Sequence, residues 1–222
     1  MPYRLVIFDF DGTLADSQPW FESVFNDVGE RYGLRRIELS EREFLRRLDA
    51  RQFLAHLGVP RWKLPFIARH MRALKTEHLE EISLFSGVDE LLRELSDSGL
   101  GLAIVSSDTE ANVRKVLGPA NAARMSDYAC NASLLGKQAK FRRVLRRAGV
   151  RPDEALAIGD EIRDAEAARA AGIDFAAVGW GFAAPDALAP HAATVFSDMG
   201  EIMPFCRGAP AVALPGAAGF RM

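Results

Sequence analysis

The chain has 222 residues, 49% of them apolar and 26% charged, with a formal net charge of −2. That balance builds one soluble core with room for an insert, and it excludes the global basic field of a nucleic-acid binder. The two cysteines, Cys130 and Cys206, lie far apart with no CxxC, which argues against a zinc site or a disulfide framework and suits a reducing compartment.

Met1-Pro2-Tyr3-Arg4 leads straight into an apolar run. Leu5 to Phe8 is too short for a signal peptide and far too short to span a bilayer, so a cytoplasmic protein is expected. Arg4 to Phe10 reads as a buried strand that stops at Asp11-Gly12. Pro19 to Ser83 shows only helical patterns, such as "WFESVFNDVGERYGL" and "LPFIARHMRALKTEHLEEI". From Arg31 to Glu81 it carries twelve Lys/Arg against seven Asp/Glu. Most of these are expected on solvated faces, and a minority could draw an anionic substrate inward.

Beyond the insertion, helical patterns (Val88 to Ser98, Glu110 to Leu117, Lys140 to Ala148, Asp164 to Ala171) alternate with short apolar runs. The runs are "LGLAIVSSD" (Leu100 to Asp108), "EALAIGDE" (Glu154 to Glu161), "DFAAVGWG" (Asp174 to Gly181) and "ATVFSD" (Ala193 to Asp198). Alternation of this kind predicts an α/β fold, a Rossmann-like parallel sheet covered on both faces in three layers. The expected division is a core of residues 1–18 and 84–207, an inserted all-helical cap of 19–83, and an irregular tail of 208–222 rich in Ala, Gly and Pro.

Ligands of such sheets sit outside the carboxyl ends of the strands. Three of the runs end there in acidic or hydroxyl residues. On an extended strand Asp9 and Asp11 point to the same side. Two carboxylates that close need a cation or a shared proton. Magnesium suits a site of carboxylates, a carbonyl and water. One carboxylate could attack phosphorus and form an acyl phosphate, while the other moves protons. Gly12 permits the sharp exit from the strand.

The string "DFDGTLADS" resembles the first motif of the haloacid dehalogenase-like superfamily of phosphatases and related phosphotransferases. The resemblance implies that Asp9 is the nucleophile and a magnesium ligand. It makes Asp11 the general acid/base, with its backbone carbonyl on the metal and Gly12 and Thr13 in support. In "IVSSD" it assigns Ser106, followed by Ser107, to the transferring phosphoryl group. Family members often have Asn after the hydroxyl; here Ser107 and Asp108 follow, and Asp108 is read as the cap of the next helix rather than a charge near phosphate. "LLGKQAKFRRVL" offers Lys137 and Lys140 for the motif-three lysine, with Lys137 preferred just before its helix. "IGDEIRDAEAARAAG" resembles the GDxxxD signature of Gly159, Asp160 and Asp164. Asp160 would complete the metal site, ahead of Glu161, and Asp164 would hold a metal water or orient Lys137.

Asp11 argues for phosphorus chemistry, since a leaving oxygen must be protonated. The helical cap and "VGWGFAAPDAL" look like phosphoglycolate phosphatase-like members, which act with magnesium on a small phosphorylated metabolite. A sugar phosphomutase, a phosphonate hydrolase using Lys63 or Lys75, and a non-catalytic binding relative are the alternatives. Trp180 and Phe182 could wall the crevice but are weighted toward core. Arg47, Arg51 and Lys75 are cap candidates for substrate contact, none singled out. A monomer or weak homodimer, with no nucleic-acid or membrane partner, is expected.

Overall fold

The computed structural model describes residues 3–131 and 136–208. The elements in chain order are β1 (Leu5–Phe8), β2 (Ala15–Asp16), α1 (Gln18–Tyr32), α2 (Arg42–Leu45), α3 (Ala50–His56), α4 (Leu64–Glu77), β3 (Ser83–Leu84), α5 (Val88–Asp97), β4 (Gly101–Ile104), α6 (Glu110–Arg124), β5 (Asp127–Tyr128), α7 (Lys137–Ala148), β6 (Ala155–Gly159), α8 (Ile162–Ala171), β7 (Asp174–Val178), α9 (Pro185–Leu188), β8 (Val195–Phe196) and α10 (Ile202–Cys206).

Six strands form one parallel sheet in the order β5-β4-β1-β6-β7-β8. Every residue of β1 is buried, so the strand reads as an unbroken apolar run rather than an alternating one. Its side chains divide by parity. Val6 and Phe8 join Leu102, Ile104, Leu156 and Ile158 in a core closed by α5, α6 and α10. Leu5 and Ile7 join Ala103, Ala155, Ala157 and Phe175 in a second core closed by α7 and α8. Burying each large side chain contributes about 1.5–3 kcal/mol. Successive strands step outward from β1 through β4 to β5, then return to β6 on its other side. The crevice at that reversal, beyond the carboxyl ends of the strands, is where such sheets hold ligands.

The expected α/β sheet with an inserted helical segment is the observed architecture, with differences in detail. A two-residue antiparallel ribbon, Ala15↔Leu84 and Asp16↔Ser83, joins the two ends of the insertion. It is too short for any periodicity to announce. The edge strand β5, also two residues long, carries no periodicity either. The helix expected to end at Leu117 runs on to Arg124 after a break at Gly118, whose φ of 73° and ψ of 164° precede Pro119. Helix α7 starts at Lys137, three residues before the expected Lys140. Both cysteines are free and buried, and burial pushes each thiol up to about 12. Among the described residues no helix is long and apolar enough to cross a membrane. The expected tail lies, from residue 209 onward, outside the described residues.

Candidate active site

Strand β1 ends at Phe8, so Asp9 is already in the loop. Its backbone N–H still bonds the Ile158 carbonyl of β6 at 2.8 Å, which aims the buried Asp9 carboxylate over the reversal point. The Phe10 N–H donates to Asp9 Oδ1 at 2.7 Å. The chain then turns sharply: the N–H groups of Leu14 and Ala15 both return to the Phe10 carbonyl at 2.9 Å. Gly12 makes this possible with φ +75°. A Cβ there would lie 2.2 Å from Asp160 Oδ2, so both the backbone and the space demand glycine.

The structure brings Asp9, Asp160 and Asp164 together, with one ligand atom from each within 4.8 Å of the others, all buried. Lys137 Nζ donates to Asp9 Oδ2 at 2.5 Å and to Asp164 Oδ1 at 2.6 Å. Lys140 instead donates to the Cys130 carbonyl at 2.9 Å, away from the acids. Helix α7 delivers Lys137 from its first residue, and the second core anchors that helix through Phe141, Val144 and Leu145. Asp160 follows β6 directly; its Oδ1 accepts from Thr13 Oγ1 and its Oδ2 from the Phe182 N–H, both at 2.8 Å. Asp164 Oδ2 accepts from the Glu161 N–H at 3.2 Å at the start of α8.

These carboxyls differ in charge preference. Burial pushes Asp9 up to about 7, against the pull of Lys137. Burial, with negative Glu161, Asp9 and Asp164 close by, holds Asp160 well above the usual range. Burial would raise Asp164 too, but Lys137 and Arg163 keep it below its ordinary value. Burial would lower Lys137, but Asp164 and Asp9 outweigh it and raise its pKa. Lys137 and Arg163 together therefore face four acids, Asp9, Asp160, Asp164 and Glu161, more carboxylate than they can neutralise. A cluster of hard oxygen donors left short of positive charge fits a divalent cation.

Asp11 lies apart from this cluster. Its Oδ1 pairs with the ammonium of Lys75, so the two aspartates of the first motif face different lysines. The premise of one extended strand carrying both does not hold, because the strand ends before either. At the second loop, Ser106 is fully buried and its Oγ accepts from the Asp108 N–H at 3.0 Å. Ser107 is partly exposed, and its carbonyl accepts from Arg72 at 3.3 Å. Thr109, not Asp108, caps α6, accepting from the Asn112 N–H through its hydroxyl. Asp108 Oδ2 lies 2.6 Å from Lys75 Nζ instead.

The insertion rests on this site. Arg46 donates to the carbonyls of Phe182 and Gly181 at 3.1 and 3.2 Å. Phe21 meets the Phe182 ring edge-on at 5.5 Å. Trp180 Nε1 donates to the Thr13 carbonyl at 3.1 Å, so these aromatics brace the first loop from behind. Of the cap candidates, Lys75 reaches the site, Arg47 pairs with Asp186, and Arg51 is exposed. The Phe182 N–H, Arg46 and Arg163 were not singled out by sequence. No motif marks a backbone donor, and basic residues in helices are ordinarily solvated.

Residues 6–178 match the haloacid dehalogenase-like hydrolase family. The chain is 31% identical over 180 residues to a phosphoglycolate phosphatase of Synechococcus elongatus, covering 81% of this chain and 85% of that one. It is 27% identical to the tyrosine-protein kinase PtkA of Mycobacterium tuberculosis, covering 90% of this chain and 70% of the kinase. A crystal structure from Lactobacillus plantarum, of a protein provisionally described as a phosphoglycolate phosphatase, superposes with a TM-score of 0.78. It is 26% identical and covers 91% of this chain and 99% of its own.

Proposed function

The chain belongs to the haloacid dehalogenase-like hydrolase family, and we propose that it hydrolyses a small phosphate monoester through an aspartyl-phosphate on Asp9. The observation that carries this is Lys137, bonded at once to Asp9 and Asp164 inside a buried acid cluster at the sheet reversal. A lysine so placed can compensate both the nucleophile and an incoming phosphoryl group.

In this reading Asp9 Oδ attacks phosphorus, and the bond to the leaving oxygen breaks. Asp11 protonates that oxygen, then takes a proton from the water that attacks the acyl phosphate; the phosphorus–oxygen bond to Asp9 breaks, releasing inorganic phosphate and restoring the Asp9 carboxylate. Ser106 and Ser107 sit where the second loop meets α6 and would receive the phosphoryl oxygens together with backbone N–H groups, since a helix N-terminus favours anions. The side chains of Asp9 and Asp160 and the Asp11 carbonyl would hold magnesium. Bound there, magnesium supplies positive charge that neutralises the phosphoryl oxygens. Asp164 orients Lys137. The insertion, residues 19–83, covers the site as a cap. The similarity to phosphoglycolate phosphatases favours a small phosphorylated acid as substrate.

The test is phosphate release from a panel of monoesters, including phosphoglycolate and sugar phosphates, with magnesium and with chelator, against Asp9→Asn. Magnesium-dependent release by the wild type alone supports the reading. Equal release by Asp9→Asn removes it.

A further inference from the structure

Lys75 is a buried lysine, 5% exposed, carried by the insertion helix α4 into the space between two loops of the core. Its ammonium pairs with Asp11 on one side and with Asp108 Oδ2, at 2.6 Å, on the other. The Phe10 ring lies 5.6 Å from it. Neighbouring residues of α4 bind the second loop and the helix after it: Arg72 donates to the Ser107 carbonyl, and Thr76 Oγ1 to Asn112 Oδ1 of α6 at 3.1 Å. Asp108 is itself held in place. Its Oδ1 accepts from Asn112 Nδ2 at 2.9 Å and from the Thr109 N–H at 2.6 Å.

Without Asp108, Lys75 would have only Asp11, among the described residues, to neutralise it, and a buried ammonium holds its single counterion tightly. An acid/base group locked in an ion pair cannot turn to a leaving oxygen. With Asp108 present the ammonium keeps a partner whichever way Asp11 points. Resting on the phosphatase reading above, we propose that Asp108 and Lys75 form a positioning pair, in which Asp108 anchors the insertion's ammonium against Asp11 and so orients the acid/base group without trapping it. Asp108 stands in the second motif, next to the hydroxyls that would meet phosphate, so one pair ties α4 to both loops.

The experiment compares wild type, Lys75→Met, Asp108→Asn and the double variant on p-nitrophenyl phosphate and on an alkyl phosphate. Each single variant should lower kcat for the alkyl phosphate by about tenfold, a fraction of the full acid/base contribution. The loss for the good leaving group should be much smaller, with KM within about threefold, because the pair acts on proton transfer rather than on binding. The double variant should be no worse than Lys75→Met, since the anchor has no purpose without the ammonium. Equal losses on both substrates, a change confined to KM, or additive losses would overturn the pair. If the wild type hydrolyses no monoester, the phosphatase reading fails by itself. The crystal structure of Asp108→Asn then decides the pair: a displaced Lys75 ammonium supports it, and an unmoved one overturns it. Asp108→Asn is nearly isosteric and keeps this measurable if Lys75→Met does not fold.

Discussion

Exchanging Asp9 for Asn replaces one carboxylate oxygen by an amide nitrogen of nearly the same size. The Phe10 N–H can still find an acceptor, but the proposed nucleophile is gone. Asp9→Asn should abolish turnover while circular dichroism and the unfolding midpoint stay close to wild type; measurable turnover would disprove the aspartyl-phosphate. Gly12 makes the opposite kind of demand. A methyl group there meets Asp160 Oδ2 at 2.2 Å on a backbone with φ +75°. Gly12→Ala should therefore cost several kcal/mol (about 2–4, from strain plus overpacking) in urea unfolding and displace Asp160. A stability loss within error of zero would mean that the loop accommodates a side chain after all. The residue types at this site were legible in advance, since acids directly after apolar runs are costly without a purpose. Their partners were not: Asp108 had a ready local reading as a cap, which Thr109 fills instead.

Among the elements, α6 shows how a local signal and a tertiary one divide a helix. Gly118 adopts φ 73° inside it, with open space around its missing Cβ. Gly118→Ala should cost about 1–3 kcal/mol through backbone strain alone and leave catalysis unchanged; an activity loss at full stability would show that the break communicates with the Ser106 loop. The expected stop at Leu117 matched the break, because Gly-Pro announces itself in sequence. The resumption to Arg124 starts at Pro119, a residue suited to a first helical position, and buries Asn121 and Ala122 against the core. Likewise α7 begins at Lys137 rather than beyond it, since a buried ion pair with Asp9 and Asp164 holds its first residue in place.

On the scale of the whole molecule, the buried acids make stability depend on pH and on cations. Asp9 and Asp160 are raised by burial above the unfolded value of about 4. Between that value and about 7 the folded state holds protons that the unfolded chain has released. The contribution of Asp9 is thus fully present below about pH 4 and lost as pH rises through about 7, and that of Asp160 falls with rising pH in the same sense. Asp164, lowered by Lys137 and Arg163 against its burial, acts in the opposite sense and loses its contribution in acid. The cation-free protein should therefore melt at a lower temperature at about pH 8 than at about pH 5. Magnesium should raise the melting temperature, more so at the higher pH, and Asp160→Asn should remove most of that increment. A melting temperature indifferent to magnesium at about pH 8 would speak against the proposed cation site.

The amino-acid sequence by itself determined the parallel α/β layers, the helical insertion and the loops that carry the acids. Those features are local: an apolar run sets a strand, and its next residue in the chain must lie at the strand's end. Tertiary structure alone decided which charges meet. Lys75 reaches Asp11 from 64 residues away, the Phe182 N–H reaches Asp160 from 22, and the β2–β3 ribbon closes the base of the insertion. Helical periodicity tells which face of α4 is apolar, but not that the insertion packs so as to carry Lys75 to Asp11, because that depends on docking against residues remote in the chain.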